Sequence, residues 1–91
     1  MNRHSMPPDR GMLFILDYER AVAFWMKNTT IPLDIIWMDS QMKVVDIKER
    51  TKPLDETPLF SKRPAKYVFE VNGGTVKKFR LKVGDRATIK P

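Results

Sequence analysis

Prolines at 7, 8, 32, 53, 58, 64 and 91 and glycines at 11, 73, 74 and 84 divide this chain into short elements, and hydropathy within them runs mostly at strand period. Met12 to Leu16 is continuously apolar, as a strand buried on both faces would be. Asp17-Tyr18-Glu19-Arg20 reads as a polar break, and Ala21 to Met26 as a second apolar strand. Asn28-Thr29-Thr30 turns the chain, and Pro32 forbids a helix through the turn. Leu33, Ile35 and Trp37 then share one face, with Asp34, Ile36 and Met38 on the other. Because both faces are largely apolar, this strand is expected at the centre of a sheet.

Asp39-Ser40-Gln41 predicts a hairpin connection into a strand from Val44 to Lys48. Residues 49–65 carry three of the prolines and read as an ordered crossing loop, with Leu54, Leu59 and Phe60 as expected anchors. From Tyr67 to Val71 the alternation points Tyr67, Phe69 and Val71 inward and Val68 and Glu70 the other way. After Asn72-Gly73-Gly74, Thr75 is placed to cap a short helix through about Arg80, with Val76 and Phe79 on its buried side. Val83-Gly84-Asp85 is a turn, and Arg86 to Lys90 a last strand with Ala87 and Ile89 inward. Six strands and one helical turn predict a mainly β single domain, a small β-barrel or sandwich.

Composition narrows the chemistry. At 91 residues the core is modest, and 42% hydrophobic with 31% charged residues is a globular balance. No apolar run approaches the ~20 residues of a membrane-spanning helix, so no membrane partner is expected. The absence of cysteine removes disulfides, thiolate metal sites and thiol nucleophiles. His4 is the only histidine, which leaves no basis for a transition-metal site, and no cofactor is expected. The six methionines sit mostly at apolar strand or turn positions and read as core filler. Charge is uneven. Residues 1–61 hold eight Lys/Arg against nine Asp/Glu, whereas residues 62–91 hold nine against two.

Several segments carry a resemblance in the right order and spacing. They are Gly11-Met12-Leu13-Phe14, then Phe24-Trp25-Met26-Lys27-Asn28-Thr29 with Pro32-Leu33-Asp34. Pro64-Ala65-Lys66-Tyr67-Val68 with Glu70, and finally Val83-Gly84-Asp85, complete the set. Across essentially the whole chain this resembles the domain of unknown function 192 family of bacteria and archaea. The resemblance implies a β-sandwich or barrel-like fold, and no established activity comes with it. Family members usually open with a further strand and a short segment ending Gly-Leu-Met, often behind a signal peptide. Met1 falls where that methionine would be, and Asn2 to Pro8 resembles the polar connection that follows. The chain thus resembles the family domain without its first strand. An unpaired strand edge would follow, and with it a homo-oligomer or marginal stability. The expected compartment is the cytoplasm as written, or outside it if the true start lies upstream with a signal segment.

The leading candidate site is the 24–34 corner. Trp25 offers a stacking surface, Lys27 a cation, Asn28 a donor and acceptor pair, and Asp34 and Glu70 carboxylates for a small molecule or peptide. A structural reading competes with it: Asn28 defines the turn, Lys27 pairs with Asp34, Trp25 covers the core and Glu70 pairs with a cation. Gly74 and Thr75, with Lys77 and Lys78, form a second candidate, where backbone amides before a helix receive an anion. The alternative function is nucleic-acid or polyanion binding through the basic 62–91 face, where inward Tyr67 and Phe79 leave little to stack on. A hydrolase-like pair of Asp34 and Glu70 ranks third, and the balance leans away from an enzyme.

Overall fold

The computed structural model describes residues 11–86. Its frame is a four-stranded antiparallel sheet in the order β1 (Gly11–Arg20), β6 (Ala65–Asn72), β3 (Leu33–Met38) and β4 (Val44–Lys48). A second, two-stranded sheet pairs β2 (Ala23–Phe24) with β5 (Leu59–Phe60), and one short helix, α1, spans Thr75–Phe79. Mainly β structure with one short helix is therefore what forms, as two sheets rather than a closed barrel. The strand expected over Arg86 to Lys90 lies outside the described residues except for Arg86.

Leu33–Met38 is buried at every position because β6 and β4 flank it and both of its faces are covered. One face of the large sheet gathers Ile35, Trp37, Ala65 and Val68, and the β2–β5 ribbon closes it with Phe24 and Leu59. The Phe24 ring meets Phe14 and Trp37 edge-on at centroid distances of 5.4 and 6.4 Å. The opposite face gathers Ile36, Met38, Val44 and Val71, covered by Val76 of α1 and by Leu81. The sheet is thus the middle layer, with a ribbon on one side and a helical turn on the other.

Several expectations change, and the strand expected over Ala21 to Met26 forms only over Ala23–Phe24. β1 runs on through Asp17–Arg20, with its register to β6 interrupted between Ile15 and Arg20, because an edge strand tolerates polar residues facing water. For the same reason β1 is not buried on both faces; Ile15 and Tyr18 are exposed. Phe79 points outward, since the left-handed Arg80 ends the helix after five residues and Leu81 supplies the inward contact instead. Leu54 and Phe60 do not anchor the crossing loop either. Thr51 does: its amide donates to the Leu33 carbonyl at 2.8 Å, and its hydroxyl donates to the same oxygen at 2.9 Å. Further along, the Leu54 amide donates to Thr29 and the Met26 amide to Asp55.

Candidate functional site

The 24–34 corner divides between inside and outside. Phe24 enters the core, and its neighbour Trp25 is 45% exposed, as strand alternation requires. Lys27 lies beside Trp25, its ammonium 5.4 Å from the ring centroid, and pairs with Glu56 at 3.8 Å. The cross-turn pairing of Lys27 with Asp34 does not form. Asn28 is exposed with φ of 64°, the left-handed conformation that asparagine tolerates in turns, and the Thr29 amide closes the turn on the Met26 carbonyl.

Asp34 is fully buried. Its Oδ1 accepts the Arg50 amide at 2.8 Å, and its Oδ2 accepts the amides of Gly74 and Val76 at 3.1 and 2.8 Å. Arg50 and Gly74 both have positive φ, so a single carboxylate clasps two left-handed backbone positions far apart in sequence. Of the amides before the helix expected to receive an anion, that of Gly74 donates to Asp34, as does that of Val76. Gly74 holds the N-cap position with no side-chain cap, and the Thr75 hydroxyl donates to the Asn72 carbonyl at 2.7 Å rather than capping the helix. Lys77 and Lys78 are exposed, and Lys78 lies 5.5 Å from the Phe79 ring centroid.

Glu70 is also fully buried, but it stands on the other face of the sheet. In the register of β3 with β6, Ile35 opposes Glu70 and Asp34 opposes Val71. Residues directly opposed project to one face and their neighbours to the other, so Asp34 and Glu70 point apart. They form no catalytic dyad, and neither reaches the surface that carries Trp25 and Lys27. Among the described residues no group of three or more acidic or histidine side chains is placed to hold a metal.

What sequence reasoning missed is the second wall of the outer surface. Trp25, Ala23 and Phe24 line a groove of about 300 Å³ with Pro58 and Phe60. Phe60 is 59% exposed and pairs with Ala23 across the β2–β5 ribbon. A Pro-Leu-Phe run at the end of a loop was the available signal, but only the ribbon pairing shows that it meets Trp25.

The motif order finds its match at the family level. The DUF192 model, described as an uncharacterized ACR, matches residues 1–89. The chain belongs to the DUF192 family. Two solved structures are similar to this DUF192 domain, each with a TM-score of 0.89 over 94% of the chain. One, 43% identical, is a Sinorhizobium meliloti 1021 protein provisionally described as a transcription regulator. The other, 38% identical, is a protein of unknown function from Novosphingobium aromaticivorans DSM 12444. The chain spans 67% and 61% of those two chains respectively. No protein of curated function matches it.

Proposed function

We propose that this DUF192 domain is a binding module whose working surface is the Trp25–Phe60 groove, and that its occupant is an extended apolar segment of a partner protein. One observation carries the reading: two large aromatic side chains, 45% and 59% exposed, face a single apolar groove on the ribbon. Scattered exposed apolar residues are ordinary, whereas contiguous ones mark interaction surfaces, and tryptophan is the side chain most enriched among energetic anchors. The Lys27–Glu56 pair beside Trp25 supplies the polar rim that surrounds such an apolar centre. At about 300 Å³ the groove suits a few side chains of an extended chain better than an enclosed drug-sized ligand. The regulator description of the S. meliloti relative supports a binding role in general and names no occupant. A hydrolase-like role draws no support, since Asp34 and Glu70 are buried on opposite faces.

The test is an NMR titration of labelled protein with dodecapeptides centred on paired apolar residues, beside the same peptides with serines at the centre. Saturable shifts are expected at the Trp25 indole N–H and at the Ala23 and Phe60 amides, while the buried Trp37 indole stays in place. Trp25→Ala is expected to remove the shifts and leave the unfolding midpoint nearly unchanged. Silence toward every apolar peptide would overturn the reading, as would a Trp25→Ala loss of stability typical of a core aromatic.

A further inference from the structure

A second concavity, of about 540 Å³, shares no lining residue with the aromatic groove. The β3–β4 turn, the segment entering β6 and the turn after α1 enclose it, bringing Lys43, Lys62 and Arg63 to one cleft. Asp39 and Asp46 line the same cleft, Asp85 follows the lining Gly84, and all three carboxylates accept backbone amides. Asp39 Oδ1 accepts the amides of Gln41 and Lys43 at 2.9 and 3.0 Å. Asp46 accepts Ile47 at 2.8 Å and Lys62 at 2.9 Å, and Asp85 accepts Lys82 at 3.0 Å. The side-chain cations of Lys43, Lys62 and Arg63, by contrast, have no ion pair among the described residues.

A second observation points the same way. Lys43 pairs with Arg86 in an antiparallel bridge. Directly opposed residues project to the same face, and like charges in that position repel. Three cations therefore line one cleft, with Arg86 beside Lys43, against two lining carboxylates, Asp39 and Asp46, that engage backbone amides and form no ion pair with them among the described residues. An anion seated there would turn the repulsion into attraction, and a planar guanidinium beside ammonium groups matches phosphate. The cleft is larger than a bare phosphate fills, and Val45 and the exposed Val83 give it an apolar wall.

We propose that this cleft binds a small phosphomonoester, with its phosphate held by Lys43, Lys62, Arg63 and Arg86 and its organic body against Val45 and Val83. The site is independent of the aromatic groove, so either can fail alone. The probes are AMP, inorganic phosphate and adenosine, titrated into labelled protein at moderate salt. AMP is expected to shift the amides of Lys43, Lys62, Arg63 and Arg86 saturably, phosphate to shift the same set more weakly, and adenosine to leave it unmoved. Replacing Lys62 and Arg63 together by alanine should weaken AMP at least about tenfold, the scale of one charge-assisted contact. The melting temperature should hold, because the Lys62 backbone amide, not its side chain, makes the structural bond to Asp46. Val83→Asp is a second variant; it sets a carboxylate in the cleft from an exposed position and should also repel AMP. No shift at these residues at about 10 mM AMP, well beyond the millimolar range of weak binding, overturns the proposal. Equal binding of adenosine overturns it too. So does binding seen only with oligonucleotides, tightening with their length and collapsing in salt, which would mark a nucleic-acid surface.

Discussion

Asp34 gives the sharpest test, because the structure and a catalytic reading predict opposite results for the same substitution. A catalytic carboxylate replaced by asparagine leaves the fold intact and removes activity. A structural clasp does the reverse. Asp34→Ala strips the acceptor from three amides, those of Arg50, Gly74 and Val76, at a site with no solvent access. Charge-assisted bonds contribute roughly 1.5–3 kcal/mol each, so with partial relaxation the loss is about 4–6 kcal/mol. A chain of this length holds only about 5–14 kcal/mol in total, which puts Asp34→Ala close to unfolding. Asp34→Asn is graded between. Its carbonyl can take the Oδ2 position and keep Gly74 and Val76, but its amide nitrogen then faces the Arg50 amide, donor against donor. That substitution should cost about 2–3 kcal/mol. Urea unfolding followed by circular dichroism measures both values, and hydrogen exchange identifies the bond lost, with the Arg50 amide exchanging faster in the asparagine variant. An Asp34→Asn protein within about 0.5 kcal/mol of the parent, the range of an ordinary surface change, with Arg50 still protected, would refute the clasp.

The adjacent aromatics should behave oppositely: Phe24→Ala is expected to cost about 3–5 kcal/mol as a core truncation, and Trp25→Ala under about 1, so equal losses in urea titrations would contradict their placement. Gly11→Ala should destabilise by about 1–3 kcal/mol, because the added Cβ would meet the Glu70 carbonyl oxygen at 2.8 Å and the Phe69 ring at 2.7 Å; an unchanged melting temperature would count against that contact. The Thr57 backbone amide, with help from its hydroxyl and Lys52, holds the Asp55 carboxyl below the ordinary aspartate range. The associated stabilisation is present above the unfolded-state pKa and disappears as pH falls through the lowered folded value, so a carboxyl NMR titration should place Asp55 below ordinary aspartates, and an unshifted midpoint would reject the bond. The outer edge of β1 has no strand against it among the described residues, and Ile15 and Tyr18 are exposed on that strand. Self-association is expected in sedimentation at high concentration and should weaken with Ile15→Lys; a strict monomer before substitution removes that expectation.

Legibility in this sequence follows the range of the interaction that decides each feature. Leu33–Met38 could be placed at the centre of a sheet because burial on both faces leaves its mark inside six residues. Alternation in Tyr67–Val71 separated the two sets of side chains for the same local reason, but both faces are covered, and Val68 and Glu70, read as pointing away, are the more deeply buried pair. The polar run Asp17–Arg20 misled because an exposed edge strand and a turn have the same composition, and only pairing distinguishes them. Phe79 misled because helical spacing matters only while the helix lasts, and this one stops at Arg80.

The candidate site failed to hold together for a similar reason, at longer range. Trp25, Lys27 and Asn28 are all exposed, which is one of the two arrangements the corner left open. Asp34 was drawn into the same corner by proximity in sequence, yet its partners are 16 to 42 positions away, and no local pattern announces a carboxylate that caps two remote turns. Glu70 joined by chemistry alone, and the β3–β6 register then sent it to the opposite face. Phe60 reads locally as a loop anchor, although an aromatic in a proline-rich segment serves burial or binding equally well until its neighbours are known. The motif around residues 24–34 therefore combines two jobs. Its Asp34 end secures the fold from within, and its Trp25 end stands part-exposed at the surface beside Lys27.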